Sequence, residues 1–349
     1  MLRNRNMAQN GRVRVAVDAM GGDYAPEEIV KGAVLAAEKD DVQILLVGPA
    51  AILEKELAKY KLTNGSSVHV VGANEFIKEN ESPVDVIRRK PDCSVAVAAK
   101  MVKSGEADAL FSAGSSGAAA ISAIQYIGML DGVYRPALVG SLGSFASNTV
   151  MVDLGANVDC KPHQFLVFAI AGSVYAKKFL NIADPRIALL STGSEETKGN
   201  EAVREGYSLL RNSGLNFIGN IEGGDILNGK ANVVVCDGFV GNVLLKFYES
   251  VGGQAQVWTE RKLKKYPPLR ALAGLLFRRL FPATRISSET EKQGGGILWG
   301  VNGVVKIAHG ASRAPQIANA IESAKEAVKA GVVESMKSEL AKFNQGGRL

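Results

Sequence analysis

The sequence predicts an α/β fold, a three-layer sandwich with a mainly parallel sheet. Short apolar, β-branched runs alternate with stretches whose apolar residues recur at three-and-four spacing, from residue 12 to about residue 330. Six of the runs end in a small polar loop built around glycine. The chain also holds 38 glycines and only 6% aromatic residues, a composition that suits many strand-to-helix turns. Continuous apolar runs are what parallel strands buried on both faces look like, and their alternation with helices calls for crossover connections.

Taken in order, Val13–Val17 reads as a strand that ends in Asp18-Ala-Met-Gly-Gly-Asp23. A helix follows over Pro26–Lys39, with Pro26 suited to its first turn. Val42–Val47 and Val68–Val71 read as strands on either side of a helix at Ala50–Tyr60. Ser94–Ser104 reads as a helix, and the strand Ala109–Phe111 runs into Ser112-Ala-Gly-Ser-Ser-Gly117 and a helix at Gly117–Met129. Ala137–Ser141 and Val150–Val152 are strands, the second ending in Asp153-Leu-Gly-Ala-Asn157 before a helix at Pro162–Leu180. Ile187–Leu190 leads into the loop Ser191-Thr-Gly-Ser-Glu-Glu-Thr-Lys-Gly-Asn200, overlapped by a helix expected over Glu195–Asn212. Asn216–Ile221 and Val233–Cys236 are further strands, the latter running into Asp237-Gly-Phe-Val-Gly-Asn242. Across 240–290 a long helical stretch is broken by Pro267-Pro268 and Pro282, which predicts a projecting helical hairpin. Val304–Ala308 runs into His309-Gly-Ala-Ser312, and helices at Pro315–Ala330 and Val332–Phe343 follow. No linker divides the chain. The reading is a disordered leader over residues 1–11 and a single catalytic domain over 12–345, with the hairpin at about 243–287 inserted in it.

Composition narrows the class. The 349 residues are 46% hydrophobic and 22% charged, an ordinary composition for a soluble enzyme. Cys93, Cys160 and Cys236 share no metal-ligand spacing and read as reduced thiols of a cytoplasmic protein. The first residues are basic but lack an apolar core, so they do not read as a signal peptide. The longest apolar run, Phe165–Ala176, is interrupted by Gly172 and Ser173 and falls short of the roughly 18 residues a membrane span needs. Net charge is +6. Residues 255–287 carry eight basic residues and one acid, while the remainder carries 33 basic against 34 acidic. The excess charge therefore sits in one segment, interleaved there with Leu269, Leu272, Leu275, Leu276, Phe277, Leu280 and Phe281. Such a pattern reads as an interfacial amphipathic element over 262–285; a dimer-packing helix or a dock for an acidic protein are its alternatives. The contact residues in question are Lys262, Lys264, Lys265, Arg270, Leu275, Leu276, Phe277, Arg278 and Arg279.

The loops carry the chemistry. Ligands of open α/β sheets sit at the carboxyl ends of strands, glycine lets backbone approach them, and helix starts favour anions. Six such loops predict one polar, anion-binding cleft. The GxGxxG of a dinucleotide fold is absent. Gly224-Asp-Ile-Leu-Asn-Gly229-Lys230 approaches a P-loop, but Ala231 stands where a hydroxyl is required and a strand is expected to follow. HExxH and GxSxG are absent, and His69, His163 and His309 are too few for a histidine metal site. Asp18, Asp153 and Asp237 read either as Mg²⁺ ligands or, more simply, as caps of nearby N–H groups. No cofactor, no metal and no nucleic-acid partner are expected. This combination suits a reaction in which the substrates bring the chemistry and the enzyme supplies position and electrostatic stabilisation.

The segments VAVDAMGGDYAP, the RRK at Arg88–Lys90, SAGSSGA, VDLGANVDCKP, TGSEETKGNE, VVVCDGFVGNVLLK and GGGILWGVNGVVKIAHGAS, with the later NAI, resemble the phosphate acyltransferase family of bacterial phospholipid synthesis over roughly residues 12–330. The resemblance implies transfer of an acyl group from acyl-[acyl-carrier-protein] to inorganic phosphate, giving acyl phosphate. It implies a fold like that of isopropylmalate dehydrogenases and phosphate acetyltransferases. It also implies a homodimer at the inner membrane surface that supplies a downstream membrane acyltransferase. Two departures stand out: Ser115-Ser116 replaces the family's usual Asn-Thr, and Ser191 its usual Asn. Short-chain acyl-CoA as donor, or a non-catalytic membrane-bound scaffold, are the alternatives.

On this reading Lys198 supplies positive charge to phosphate or oxyanion, Asn242 donates its amide to the oxyanion, and His309 is a third candidate. Simpler readings make Lys198 a solvated lysine, Asn242 a helix cap and His309 structural. Substrate contact is expected from Asp18, Gly21, Gly22, Asp23, Ser112, Gly114, Ser115, Ser116, Gly117, Asp153, Asn157, Glu195, Asp237 and Gly241, with Asp23 or Glu195 orienting Lys198 or capping helices.

Overall fold

The computed structural model describes residues 11–38, 41–61, 67–77, 81, 87–141, 146, 148–263 and 295–345. The leader over residues 1–10 and the hairpin beyond Leu263 lie outside the described residues. The chain packs as two compact units, 1–139 with 293–349, and 140–292. The boundary after Val139 falls inside a strand, Ala137–Ser141, so no linker marks it.

The first unit is built from β1 (Val13–Asp18), α1 (Glu27–Ala37), β2 (Val42–Gly48), α2 (Ala50–Leu57), β3 (Val68–Gly72), α3 (Ser94–Ser104) and β4 (Ala109–Ser112). It continues through α4 (Ser116–Ser122), a π-helical turn (Ala123–Ile127) and the start of β5 (Ala137–Ser141). The chain returns to this unit with β10 (Gly296–Trp299), β11 (Val304–Ile307), α9 (Ala314–Lys329) and α10 (Val332–Gln345). Its strand order is β3-β2-β1-β4-β11-β10-β5. β1, β2, β3, β4 and β11 pair in parallel, and β10 runs antiparallel to β11 and β5. β10 is not among the strands read from the sequence, its short apolar run being flanked by glycines. Register sets the loops level. Asp18 is the partner of Ser112, and Ser112 of Ile307, so the loops after β1, β4 and β11 leave one end of the sheet together.

The second unit holds β6 (Val150–Val152), α5 (Pro162–Phe179), β7 (Ile187–Leu190), α6 (Glu201–Arg211), β8 (Phe217–Ile221), α7 (Gly223–Leu227), β9 (Val233–Val235) and α8 (Gly238–Leu263). Its strand order is β6-β9-β7-β8, all parallel. Val235 is the partner of both Val152 and Leu189, so here too three loops emerge at one level. The P-loop-like stretch forms the short α7, and β9 follows it.

Every residue of β4, β6, β7, β9 and β11 is buried. Successive side chains of a strand point to opposite faces, so unbroken burial requires cover on both faces, the sandwich arrangement. In the first unit α3 lies against β1, β2 and β4, and α9 against β1, β4 and β11. In the second, α5 is buried continuously from Gln164 to Ala176 and lies on β6 and β9. A side chain at Gly172 would collide with Val233, so glycine here sets the distance between helix and sheet. The apolar run read from the sequence is thus a core helix. Among the described residues no helix is long and apolar enough to cross a membrane.

The helix expected over Gly117–Met129 is α-helical only to Ser122 before its π-helical turn. Helix starts agree closely with expectation except at α6, which begins at Glu201 and not at Glu195. Gly199 has φ +95°, which a right-handed helix excludes, and the Asn200 side chain accepts from the Val203 N–H at 2.9 Å. The preceding residues are thereby left as a loop.

Lys306 on β11 is a buried cation. Its ammonium donates to the Gly295 carbonyl at 2.6 Å and to Ser323 Oγ on α9 at 3.1 Å. Burial pushes its pKa down to about 7. An unfolded lysine keeps its proton to about pH 10.4. Between pH 7 and that value the unfolded chain binds more protons than the folded one, so stability rises with pH. We therefore expect the melting temperature of the wild type to gain on that of Lys306→Met between pH 6.5 and 9.5. A constant offset between the two proteins across that range would contradict it.

Candidate functional site

In the first unit the polar node is Asp18, the last residue of β1. Its carboxylate accepts from Ser94 Oγ at 2.6 Å and Ser112 Oγ at 2.7 Å. Ser112 in turn accepts from the Gly114 N–H at 3.1 Å. Burial pushes the Asp18 pKa up, and the two hydroxyl bonds oppose that rise. Gly21 and Gly114 touch backbone to backbone beside this carboxylate: a Cβ on Gly21 would lie 2.8 Å from the Gly114 nitrogen. Asp18, Gly21, Ser112 and Gly114 therefore form a brace between the β1 and β4 loops. The Asp23 N–H donates to the Gly310 carbonyl at 2.9 Å, which adds the β11 loop to the group.

Around the brace, several predicted residues remain at the surface. Asp23, Ser115, Ser116, Gly117 and His309 are exposed, and Gly22 is half-buried. Ser115 caps α4 by accepting from the Ala118 N–H at 3.4 Å. The His309 Nδ1 accepts from the Ala311 N–H at 3.1 Å. A neutral imidazole held this way carries its proton on Nε2, which is left as a donor.

In the second unit Asp153, at the end of β6, is fully buried. Its Oδ1 accepts from the N–H groups of Gly155 and Ala156 at 3.1 and 3.0 Å. Its Oδ2 accepts from the Asn157 N–H and the Asn157 side-chain amide at 2.7 and 2.8 Å. Hydrogen bonds to a charged acceptor contribute about 1.5–3 kcal/mol each, so this loop is held firmly. The Gly238 N–H donates to the Asn157 carbonyl at 2.7 Å, and Gly241 approaches the Asp153 carbonyl so closely that a Cβ would overlap it. The first turn of α8 is thereby seated on the Asp153 loop. Asp237 caps that helix, accepting from the Val240 N–H at 2.8 Å. Asn242 follows one residue after the contact glycine, half-buried, its side chain beside Gly155. Its amide forms no hydrogen bond among the described residues.

Burial pushes both neighbouring thiols up, Cys160 to about 12 and Cys236 well above its ordinary value. Neither is a ready nucleophile. Asp18 is thus engaged by two hydroxyl donors, and Asp153 and Asp237 by N–H donors of the residues that follow them. No three potential metal ligands converge among the described residues.

The remaining loop of this unit, Ser191–Asn200, carries Lys198. The lysine is exposed and forms no ion pair among the described residues. Its stem crosses Gly193, where an added Cβ would lie 2.9 Å from Lys198 Cγ and 2.8 Å from the Glu195 carboxylate. Glycine at 193 is what lets the loop fold flat on itself. Glu195 and Lys198 are linked through main chain, the Lys198 N–H donating to the Glu195 carbonyl at 3.1 Å. The sequence reading missed two residues: Ser94, which holds Asp18, and Asn220 on β8, whose side chain donates to the Glu195 carbonyl at 2.9 Å. A polar residue inside the apolar run Phe217–Ile221 was the available signal for Asn220.

Comparison with known proteins is consistent across the chain. The family described as fatty acid synthesis protein matches residues 13–335. The chain is similar to the phosphate acyltransferase of Pelotomaculum thermopropionicum, with 43% identity over 336 residues, covering 96% of this chain and 97% of that one. It is 44% identical over 335 residues to the phosphate acyltransferase of Syntrophomonas wolfei, covering 95% and 100% of the two chains. Among solved structures it is similar in fold to a phosphotransacetylase from Streptococcus pyogenes, with a TM-score of 0.60 and 18% identity over 93% of this chain and 94% of that one. It is similar also to the EutD phosphotransacetylase from Staphylococcus aureus, with a TM-score of 0.58 and 16% identity over 91% and 94%.

Proposed function

The chain belongs to the phosphate acyltransferase family, and from that premise we propose that it makes acyl phosphate from acyl-[acyl-carrier-protein] and inorganic phosphate, with Lys198 and Asn242 acting on the reacting groups. Acyl transfer to phosphate in phospholipid synthesis is the activity of the family; the carrier-protein donor and the residue roles are our assignment.

The chemistry asks little of the protein in the way of proton transfer. A phosphate oxygen attacks the thioester carbonyl, a C–O bond forms, and the carbonyl becomes a tetrahedral oxyanion. Collapse breaks the C–S bond and releases the carrier thiolate. A thiol of pKa about 8.5 leaves without an acid catalyst. What remains is to hold an anion beside an electrophile and to stabilise the negative charge that develops on the former carbonyl oxygen. Lys198 is exposed, its stem crosses Gly193 and its ammonium forms no ion pair among the described residues; this supports it in the first task and is the observation that carries the reading. The Asn242 amide, on a helix turn seated by buried hydrogen bonds, suits the second. His309, in the first unit, is kept as the third candidate, with its Nε2–H available as a donor. Gly22, Asp23, Ser115, Ser116 and Gly117 are assigned to substrate contact because they stay accessible around the Asp18 brace.

Two surface assignments accompany this. Self-association as a homodimer is supported by α8, which exposes Val243, Phe247 and Val251 along one side. Association with an anionic membrane is assigned to 262–285. Of that segment Lys262 is described: it is exposed, with its ammonium 5.7 Å from the centre of the exposed Trp258 ring, while the residues from 264 onward lie outside the described residues.

Phosphate-dependent thioester cleavage by purified protein tests the reaction. Asn242→Ala is expected to lower kcat by about 10²–10³, the usual loss for one oxyanion donor, and Lys198→Ala by at least about 10². Near-normal rates in folded variants would remove these assignments. With one acyl chain, the carrier-protein thioester should exceed the CoA thioester in kcat/KM; parity would remove the donor assignment. For the membrane, Leu275→Glu with Phe277→Glu should abolish sedimentation with anionic liposomes and leave turnover intact, and undiminished binding would refute the assignment.

A further inference from the structure

We propose that Asn220 is a positioning residue for Lys198, acting through the Glu195 main-chain carbonyl. This rests on the reading of Lys198 given above. Asn220 lies on β8, only 4% exposed, in an otherwise apolar run. Its Nδ2 donates to the Glu195 carbonyl at 2.9 Å. The same carbonyl accepts from the Lys198 N–H at 3.1 Å. One oxygen thus joins a buried side chain of the sheet to the backbone that bears the lysine.

The surroundings make this an anchor of that turn to the sheet, beside an ion pair of Glu196 with Arg211 of α6 at 2.7 Å. Lys198 itself has no ion pair among the described residues, and the Glu195 carboxylate lies against Gly193. Among the described residues nothing at the tip of the Lys198 side chain therefore fixes it. Its stem rests on Gly193, and its backbone hangs from Glu195. Further along, Asn200 caps α6 and Arg204 donates to the Gly199 carbonyl at 2.7 Å, which fix the exit of the loop. On the entry side the Ser191 N–H donates to the Ile221 carbonyl at 2.9 Å, extending the β7–β8 pairing. Between these two fixed ends, Asn220 ties the middle of the loop to the sheet.

The orientation of the amide is determined by its partner. A carbonyl accepts and does not donate, so the NH₂ group of Asn220 must face Glu195. Aspartate at this position would oppose two acceptors in a buried place, and leucine would fill the space without a donor. Removing the tie frees the turn to shift, and displacement of a catalytic group by about 1 Å is enough to cost 10²-fold in rate.

The test is a double-mutant cycle with Lys198→Ala, using Asn220→Leu and, as a second variant should leucine not fold, Asn220→Ser. In folded protein Asn220→Leu is expected to lower kcat by about 10- to 100-fold, with the KM of the acyl donor unchanged. In the Lys198→Ala background the same change should lower kcat by less than about 3-fold, because the group it positions is gone. Multiplicative losses in the cycle, or wild-type kcat in folded Asn220→Leu or Asn220→Ser, would overturn the proposal while leaving the role of Lys198 standing. Near-wild-type turnover in Lys198→Ala would instead overturn the reading of Lys198, and this proposal with it.

Discussion

A parallel strand that ends inside a protein leaves main-chain N–H groups with no ladder to join, and each must find an acceptor or remain in water. The two units answer this with a buried carboxylate at a strand end. Asp153 gathers three main-chain N–H groups and one amide from the five residues that follow β6. Asp18 gathers two hydroxyls, and through Ser112 it reaches the Gly114 N–H. Everything placed on these loops takes its geometry from them. The start of α8, and with it Asn242, is seated on the Asp153 loop; the β4 and β11 loops are arranged around Asp18 and Asp23.

A division of labour follows between carboxylates that hold and groups that face outward. Both bracing acids have their oxygens occupied by donors within the protein, a poor condition for taking hold of a dianion. The groups we propose for the anion are ones these bonds leave uncommitted among the described residues: the Lys198 ammonium, the Asn242 amide and the His309 Nε2–H. Full burial suits the first set, since a charge in a low-dielectric place binds its donors more strongly than it would in water. Access suits the second.

Much of the architecture was legible because it depends on local composition. Val150–Val152 needs only its own residues and the glycine loop after it to read as a buried strand end, and Pro162–Leu180 needs only its proline and its apolar length. The start of α6 was misread because Glu195–Lys198 has helical composition, and one glycine at positive φ outweighs it. The polar loops of the candidate site were legible one by one, and Lys198 and Asn242 stood out for their place in strand-end loops. What could not be read was which residues hold and which are held. Ser94 reaches Asp18 across 76 residues of sequence, and Asn220 reaches Glu195 across 25. Such pairings are consequences of register, and register exists only once the sheet is formed.

The tie between Lys306 and Gly295 has a mechanical side. Gly295 is the first described residue after the basic segment, and its carbonyl is gripped by an amine on β11 that also holds α9 through Ser323. Tension arriving along that segment meets this grip before it reaches the β10–β11 ladder. The load passes into β11 and is shared through Ser323 with a helix that lies against three strands.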